Sequence, residues 1–194
     1  MAFTDVIAGI DLTGERYTVK QSLIRNKYAV YDGNGSLVLK AKQKLFKMKE
    51  DFPFVTPDGE TVFRVKAQNL LDIAGDYAII DERSGETIAV LEKQFTFLKH
   101  VWRVKDPDHD GVVATVESRG ALVELLRHIP ILEIATSFIP HKYTIESPRG
   151  DSLGEIAGQF SFRDVYEISI QETGEAPREA LVASAIAIDA LEGN

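Results

Sequence analysis

The C-terminal segment from Pro177 to Leu191 constrains the fold more than any other part of the sequence. It contains no internal glycine, proline or asparagine, and from Ala180 onward its side chains are apolar on nearly every face. Proline in the first turn and Gly193 after the last turn are typical of helix boundaries. A helix that is apolar all round has to be buried in protein or in lipid. The segment therefore predicts a buried α-helix at about residues 178–191.

The same segment is too short to cross a membrane. It provides about a dozen apolar positions, whereas a membrane-spanning helix needs about 20. Asp189 interrupts the run, and no lysine or arginine follows it. We therefore expect no transmembrane span and a helix buried in the protein. A carboxylate in such a helix needs a partner, and we expect Asp189 to lie near the mouth of the core, hydrogen-bonded to strand-end amides or to a lysine.

Short β-hairpins dominate the rest of the chain. In each copy an aromatic residue opens an alternating strand, a turn rich in Gly, Asp or Pro follows, and a β-branched strand leads out. The opening aromatics lie about 25 residues apart, which indicates a repeat of one hairpin and its connection. They are Tyr28, Phe54, Tyr77 and Trp102. Together with strands near Tyr17, Tyr143 and Tyr166, the pattern predicts about twelve strands.

The order of these hairpins predicts a barrel. Successive hairpins without helical crossovers indicate an antiparallel meander, and closing the sheet removes its unpaired edges. The side chains of a closed barrel this wide do not fill its interior, whereas the alanine-rich C-terminal helix is slim enough to do so. The sequence therefore predicts a mainly β fold, a closed antiparallel barrel of about twelve strands enclosing a central C-terminal helix. Residues 1–194 are expected to form one domain.

One region departs from the hairpin pattern. Its leucines and isoleucines recur at helical spacing, and we predict a helical insertion at about residues 119–142. The residues at that spacing are Leu122, Leu125, Leu126 and Ile129. The insertion offers an apolar surface that a protein partner could cover.

Composition disfavours several classes of function. The net charge of −8 argues against a nucleic-acid partner. The chain has no cysteine, which excludes disulfides and thiol catalysis, and its four histidines lack the spacing of a zinc site. Neither a nucleophile elbow nor a glycine-rich phosphate loop is present, so we do not expect an enzyme. The first residues do not resemble a signal peptide, and a cytoplasmic location is expected.

The repeated hairpins followed by this terminal helix resemble the LURP-one-related family, a relative of the tubby C-terminal domain and the phospholipid scramblases. The resemblance covers about residues 17–191. It rests on Tyr28–Asp32, Tyr77–Asp81, Tyr143–Ile145, Asp164–Ile168 and Ala185–Ala190. It implies a twelve-stranded barrel around a central helix, in agreement with the argument from the hairpins. It also implies a link to lipids, because tubby-like relatives bind phosphoinositides and scramblases are associated with calcium-dependent lipid movement.

A basic segment is the first candidate site. Five lysines fall within ten residues. At strand spacing, Lys40, Lys42 and Lys44 share one face, with Arg64 and Lys66 on a neighbouring strand. The five are Lys40, Lys42, Lys44, Lys47 and Lys49. Lysines near a charged membrane contribute about 1 kcal/mol each. The alternative is a solvated strand whose charges discourage edge pairing.

An acidic turn is the second candidate site. The residues from Asp106 to Glu117 satisfy the pattern of a calcium-binding loop, with Asp106, Asp108 and Asp110 as ligands. However, the residues after Gly111 alternate like a strand, and an extended strand would carry Glu117 about 17 Å away from Gly111. A weak calcium site formed by the three aspartates alone and a polar hairpin turn both remain open. No other cofactor is expected.

These features predict a non-enzymatic binding module whose outer surface recognises anionic phospholipid headgroups or another polyanion. Two alternatives remain. One is a protein-interaction or structural module that uses the insertion at 119–142, and the other is a scramblase-like, lipid-associated protein.

Overall fold

Twelve β-strands form a closed barrel within the residues that the computed structural model describes, which are 7–22, 27–42, 51–68, 76–94, 99–109, 111–119, 142–159 and 165–192. The strands are β1 (Arg16–Ser22), β2 (Lys27–Asp32), β3 (Leu37–Lys42), β4 (Asp51–Val55), β5 (Thr61–Ala67), β6 (Asp76–Asp81), β7 (Thr87–Gln94), β8 (Val101–Lys105), β9 (Val112–Arg119), β10 (Lys142–Glu146), β11 (Ser152–Gln159) and β12 (Val165–Ile170).

Every strand pairs in antiparallel fashion with its neighbours in the sequence, and β1 also pairs with β12. The last pairing places Tyr17 opposite Ile168 and closes the sheet. The predicted antiparallel barrel is thereby confirmed. Closure pairs the two terminal strands with each other, so that their backbone amide and carbonyl groups are not left unpaired at an edge.

Five tight turns lie at one end of the barrel, here called the turn end. They join β2 to β3, β4 to β5, β6 to β7, β8 to β9 and β10 to β11. In each hairpin the register shifts just before the turn, as it does between Val30 and Tyr31. Four of the turns carry a glycine with positive φ, for example Gly35 at 81° and Gly59 at 96°. Glycine adopts this conformation without steric cost, which explains its recurrence in the repeat.

The helix α1 (Arg178–Glu192) runs through the barrel. No residue from Ala180 to Ala190 exposes more than 5% of its surface. The helix contacts β12 and also β7 and β8, which lie on the other side of the ring of strands. An element can contact both sides only if it lies between them, which confirms the predicted central helix.

A set of aromatic side chains lines the inner wall at the end opposite the turns. Each is the second residue of an even-numbered strand: Tyr28, Phe52, Tyr77, Trp102, Tyr143 and Tyr166. The sequence pattern pointed to Phe54 as the opening residue of its strand, but β4 begins at Asp51 and Phe52 holds the equivalent position. Phe54 lies on the same buried face and stacks on Phe63 at 4.6 Å between ring centroids.

Candidate functional site

The outer wall at β3 and β5 carries two of the predicted lysines. Lys40 and Lys66 lie on the outer side, because the strand neighbours Leu39 and Val65 are completely buried in the core. Lys40 is half-buried and Lys66 is exposed. The Lys40 ammonium donates a hydrogen bond to the Pro57 carbonyl at 2.8 Å. Among the described residues, no carboxylate forms an ion pair with either lysine.

Arg64 lies on the same wall, but its charge is already paired. Its Nε lies 2.5 Å from a carboxylate oxygen of Glu82, and its Nη1 lies 3.4 Å from Asp51. The hydrogen bond that Arg64 donates to Glu82, and then the charge of Asp51, outweigh partial burial and raise the pKa of Arg64 above its ordinary value. The structure therefore brings Arg64 beside the lysines, with two carboxylates that compete with any anionic ligand.

Lys20 on β1 joins these lysines, although the sequence did not single it out. Lys20 is exposed, and its strand neighbours Val19 and Gln21 are buried. Its ammonium lies 4.5 Å from the centroid of the Tyr31 ring, on the neighbouring strand β2. Lys20 is distant in sequence from the basic segment, and the pairing of β1 with β2 and of β2 with β3 brings the two close together. The alternating pattern of β1 was a usable signal for its outward position, but not for its neighbours.

The opposite wall, at β8 to β11, pairs its lysines with glutamates. Lys142 on β10 lies 2.7 Å from the Glu155 carboxylate on β11. Lys99, which precedes β8, pairs with Glu117 on β9. Exposed pairs of this kind contribute little to stability, about 0–1 kcal/mol. They do neutralise the lysine charges of this wall, whereas Lys40 and Lys66 have no carboxylate ion-pair partner among the described residues.

Several predicted residues lie outside the described part of the chain. Lys44, Lys47 and Lys49 fall between β3 and β4, and residues 120–141 of the predicted insertion fall between β9 and β10. The backbone of Lys42 is described as the last residue of β3, in register with Lys27. The contribution of the three outlying lysines stays a prediction.

The acidic turn after β8 is one of the five hairpin turns. A carboxylate oxygen of Asp106 accepts the Asp108 amide at 2.8 Å, and the other lies 3.1 Å from Nδ1 of His109. Burial by itself would raise the pKa of Asp106. Its hydrogen bonds with the Asp108 amide and with the ring and amide of His109, together with the charge of His109, have the larger combined effect, so the pKa is lowered. Asp32 accepts the amides of Asn34 and Ser36 in the same way.

The positions of the predicted ligands bear on the calcium hypothesis. Asp108 is exposed and Asp110 lies outside the described residues. Glu117 is ion-paired with Lys99 at the other end of the same β8–β9 hairpin. Within the ranges that the structure describes, no three His, Cys, Asp or Glu side chains are grouped so that they could hold a metal ion. Calcium binding by the three aspartates stays a prediction.

A buried polar contact joins the helix to the inner wall. The Tyr28 hydroxyl lies 2.6 Å from an Asp189 carboxylate oxygen and 3.1 Å from the Ile186 carbonyl. Asp189 is 5% exposed and Tyr28 is 1% exposed. Burial, followed by the charge and hydrogen bond of Asp189, raises the pKa of Tyr28 well above its ordinary value. The sequence had pointed to strand-end amides or a lysine for Asp189, and it did not predict the contact with a tyrosine of the hairpin repeat.

The comparison with protein families accords with this architecture. Residues 37–189 match the sequence model described as LOR, LURP-one-related. The chain belongs to the LURP-one-related family. The match begins at β3 and ends within α1, so it includes most of the barrel and nearly all of the central helix.

A solved structure shares the fold of this LURP-one-related chain. It is the X-ray structure of a protein from Arabidopsis thaliana, which aligns with a TM-score of 0.55 over 94% of this chain and 97% of that one. The two sequences are 9% identical, so the likeness concerns the fold alone. A comparison with the curated proteins gives no match. Within the described residues, no helix has both the length and the apolar composition needed to cross a membrane.

Proposed function

We propose that this LURP-one-related barrel is a binding module for anionic phospholipid surfaces, which it contacts through the lysines of its outer wall at β3 and β5. One observation supports this above all. Lys40 and Lys66 lie on the outside without a carboxylate ion-pair partner among the described residues. On the opposite wall, Lys99 and Lys142 are paired with glutamates.

The local distribution of charge outweighs the net charge in this proposal. The chain carries −8 overall, which opposes an anionic surface at long range. At physiological ionic strength, charges further away than about 8 Å are largely screened. A lysine close to an anionic membrane contributes about 1 kcal/mol. The acidic groups of the opposite wall therefore weaken the attraction far less than the nearby lysines strengthen it.

Arg64 has a smaller part in the proposal than its position suggests. Asp51 and Glu82 already pair with its guanidinium. A lipid headgroup would have to displace both carboxylates before it gained a new ion pair. Binding of the anionic surface is therefore assigned mainly to the lysines of this wall.

Co-sedimentation with vesicles tests the proposal. We expect the protein to sediment with phosphatidylcholine vesicles that contain phosphatidylserine and not with pure phosphatidylcholine, and we expect added salt to release it. The double variant Lys40→Gln/Lys66→Gln should bind about 30-fold more weakly, because two lysines contribute about 2 kcal/mol together.

The double variant Lys99→Gln/Lys142→Gln is the matched control. It removes the same number of charges from the opposite wall, so its affinity for the anionic vesicles should change little. Equal losses in the two double variants would show that net charge alone governs binding, and would contradict a specific wall. Sedimentation that does not depend on phosphatidylserine would contradict the function itself.

A further inference from the structure

The geometry points to a phosphate-binding notch between Lys20 and Lys40, with Ala29 as its floor, that takes phosphate monoesters. This inference rests on the proposed function, since it names the ligand class and two further residues of the same outer wall. The notch lies on three consecutive strands, β1, β2 and β3.

The strand register forms the notch. Lys20 is the pairing partner of Ala29, and Ala29 is the pairing partner of Lys40. The three residues therefore form one row across the wall. All three lie on the outer side, because the residues next to them in each strand are buried, including Val19 and Leu39 at 0% exposure.

The dimensions of this row suit a single phosphate group. Paired Cα atoms of antiparallel strands lie about 5 Å apart, which places the Cα atoms of Lys20 and Lys40 about 10 Å apart. A lysine side chain with bonds of about 1.5 Å reaches roughly 6 Å from its Cα, so both ammonium groups can approach one anion above the row. The residue between them is an alanine, whose methyl group leaves that space open.

Both ammonium groups contact neutral groups. The Lys20 ammonium lies over the ring of Tyr31, and the Lys40 ammonium is bonded to the Pro57 carbonyl. Tyr31 and Pro57 both lie towards the turn end, but Tyr31 is on β2 whereas Pro57 is in the turn between β4 and β5. The flexible Lys40 side chain therefore has to leave Pro57 and turn back towards β2 to reach an anion above Ala29. Neither contact cancels a charge, and an incoming anion competes with a ring face and a carbonyl rather than with a carboxylate.

A second row on the barrel provides an internal comparison. Across β10, β11 and β12, the register aligns Lys142, Ala157 and Glu167. An outward alanine again separates two charged residues, but here the charges are opposite. A phosphate above Ala157 would meet the carboxylate of Glu167. The row at Ala29 is therefore distinguished by its two cations and not by the strand geometry.

Two lysines in one row favour a doubly charged ligand. A phosphate monoester carries a charge of about −1.5 to −2 at pH 7. A phosphodiester carries a single negative charge at the same pH. Phosphatidic acid and soluble sugar or glycerol phosphates present the first kind of group, whereas phosphatidylserine presents the second. The shared chemistry is the monoester group, either on a lipid or free in solution.

The test compares two kinds of anionic vesicle at equal surface potential, one containing phosphatidic acid and one containing phosphatidylserine. We expect the unmodified protein to prefer phosphatidic acid. Lys20→Gln should weaken binding to phosphatidic acid about fivefold, which corresponds to the contribution of one lysine. Ala29→Leu fills the notch without changing the charge, and should abolish the preference while the melting temperature stays unchanged.

Lys142→Gln and Ala157→Leu are the matched controls, and both should keep the preference. Competition by glycerol 3-phosphate, with dimethyl phosphate as the diester control, would show that a free monoester occupies the notch. A preference that persists without such competition would assign the notch to the lipid headgroup. Both results support a monoester site.

Two results would overturn the inference. One is equal binding of the two vesicle types by the unmodified protein, and the other is an equal effect of Lys20→Gln and Lys142→Gln. If Lys40→Gln/Lys66→Gln still weakened binding to phosphatidylserine vesicles, the proposed function would survive without the notch. Binding of glycerol 3-phosphate without any vesicle binding would support the notch and contradict the membrane function.

Discussion

The inner and the outer wall of this barrel place very different demands on their residues. On the inner wall, side chains from the strands pack against a helix whose central residues expose no more than 5% of their surface. On the outer wall, lysines such as Lys20 and Lys66 extend into solvent. Changes in a close-packed interior are costly even when they add one methyl group. The comparison therefore predicts that stability depends on the inner wall, and that the outer wall is available for binding.

The largest effect is expected where the backbones of two strands approach closely. A Cβ atom on Gly154 would lie 2.1 Å from the Ser169 carbonyl oxygen, which belongs to the backbone of the neighbouring strand. Gly154→Ala should therefore destabilise the protein by about 3 kcal/mol or more, as measured by urea unfolding. Gly111→Ala is the matched control, because, chain neighbours apart, no atom of the described residues lies within 4 Å of its added Cβ. Similar unfolding midpoints for the two variants would show that this contact does not constrain the barrel.

The next effect concerns the polar contact between the helix and the inner wall. Tyr28→Phe removes the hydroxyl that bonds Asp189 and Ile186, and leaves a buried carboxyl group without that donor. We expect a loss of about 2 kcal/mol in the free energy of unfolding. Tyr31→Phe, on the outer wall, should cost much less.

A double-mutant cycle with Asp189→Asn isolates the interaction between Tyr28 and Asp189. Coupling is expected, because the two side chains lie 2.6 Å apart. Additive losses would mean that the carboxyl group and the hydroxyl contribute independently to stability.

The third effect is a loss of stability in alkaline solution. The pKa of Tyr28 is raised well above its ordinary value of 10.0, so the folded protein keeps a proton that the unfolded chain releases above pH 10. The unfolded state then binds fewer protons, and stability falls as the pH rises from about 10. Thermal melting between pH 8 and pH 11 measures this fall. Because Tyr28→Phe has no such proton, its melting temperature should fall less steeply over the same range, and parallel curves would contradict the assignment.

The smallest effect is expected on the outer wall. Lys40→Gln and Lys66→Gln should each change the free energy of unfolding by less than about 0.5 kcal/mol, as is usual for surface positions. Lys142→Gln breaks an exposed ion pair and should cost at most about 1 kcal/mol. Calorimetry gives all three values. A large loss at Lys40 or Lys66 would indicate a structural role, and would remove the contrast on which the proposed function depends.

Much of the fold could be predicted from local patterns in the sequence. The aromatic openings and the turn glycines predicted the hairpins and their antiparallel order, and the apolar terminal segment predicted the central helix. The prediction was possible because the edge strands of the sheet have to be paired and the interior of the barrel has to be filled. The assignment of Phe54 instead of Phe52 was wrong by two residues. Both positions face the core, and the alternating pattern does not distinguish the first of them from the second.

The candidate site was less predictable. Lys40 and Lys66 could be placed on the outside because strand alternation is local. The two carboxylates that pair with Arg64 were not foreseen, since Asp51 comes from the preceding strand and Glu82 from a turn further along the chain. The same applies to Tyr28 and Asp189, which are 161 positions apart in the sequence.

By itself, the sequence determined which faces of the strands are buried, where the chain turns, and that an apolar helix must be enclosed. These properties depend on side-chain type and on the spacing of neighbouring residues. Only the tertiary structure decided which charges meet on the outer wall. It placed Ala29 between Lys20 and Lys40, and it placed Ala157 between Lys142 and Glu167. Register is set by the pairing of whole strands around a closed ring, so no segment of the sequence specifies those neighbours alone.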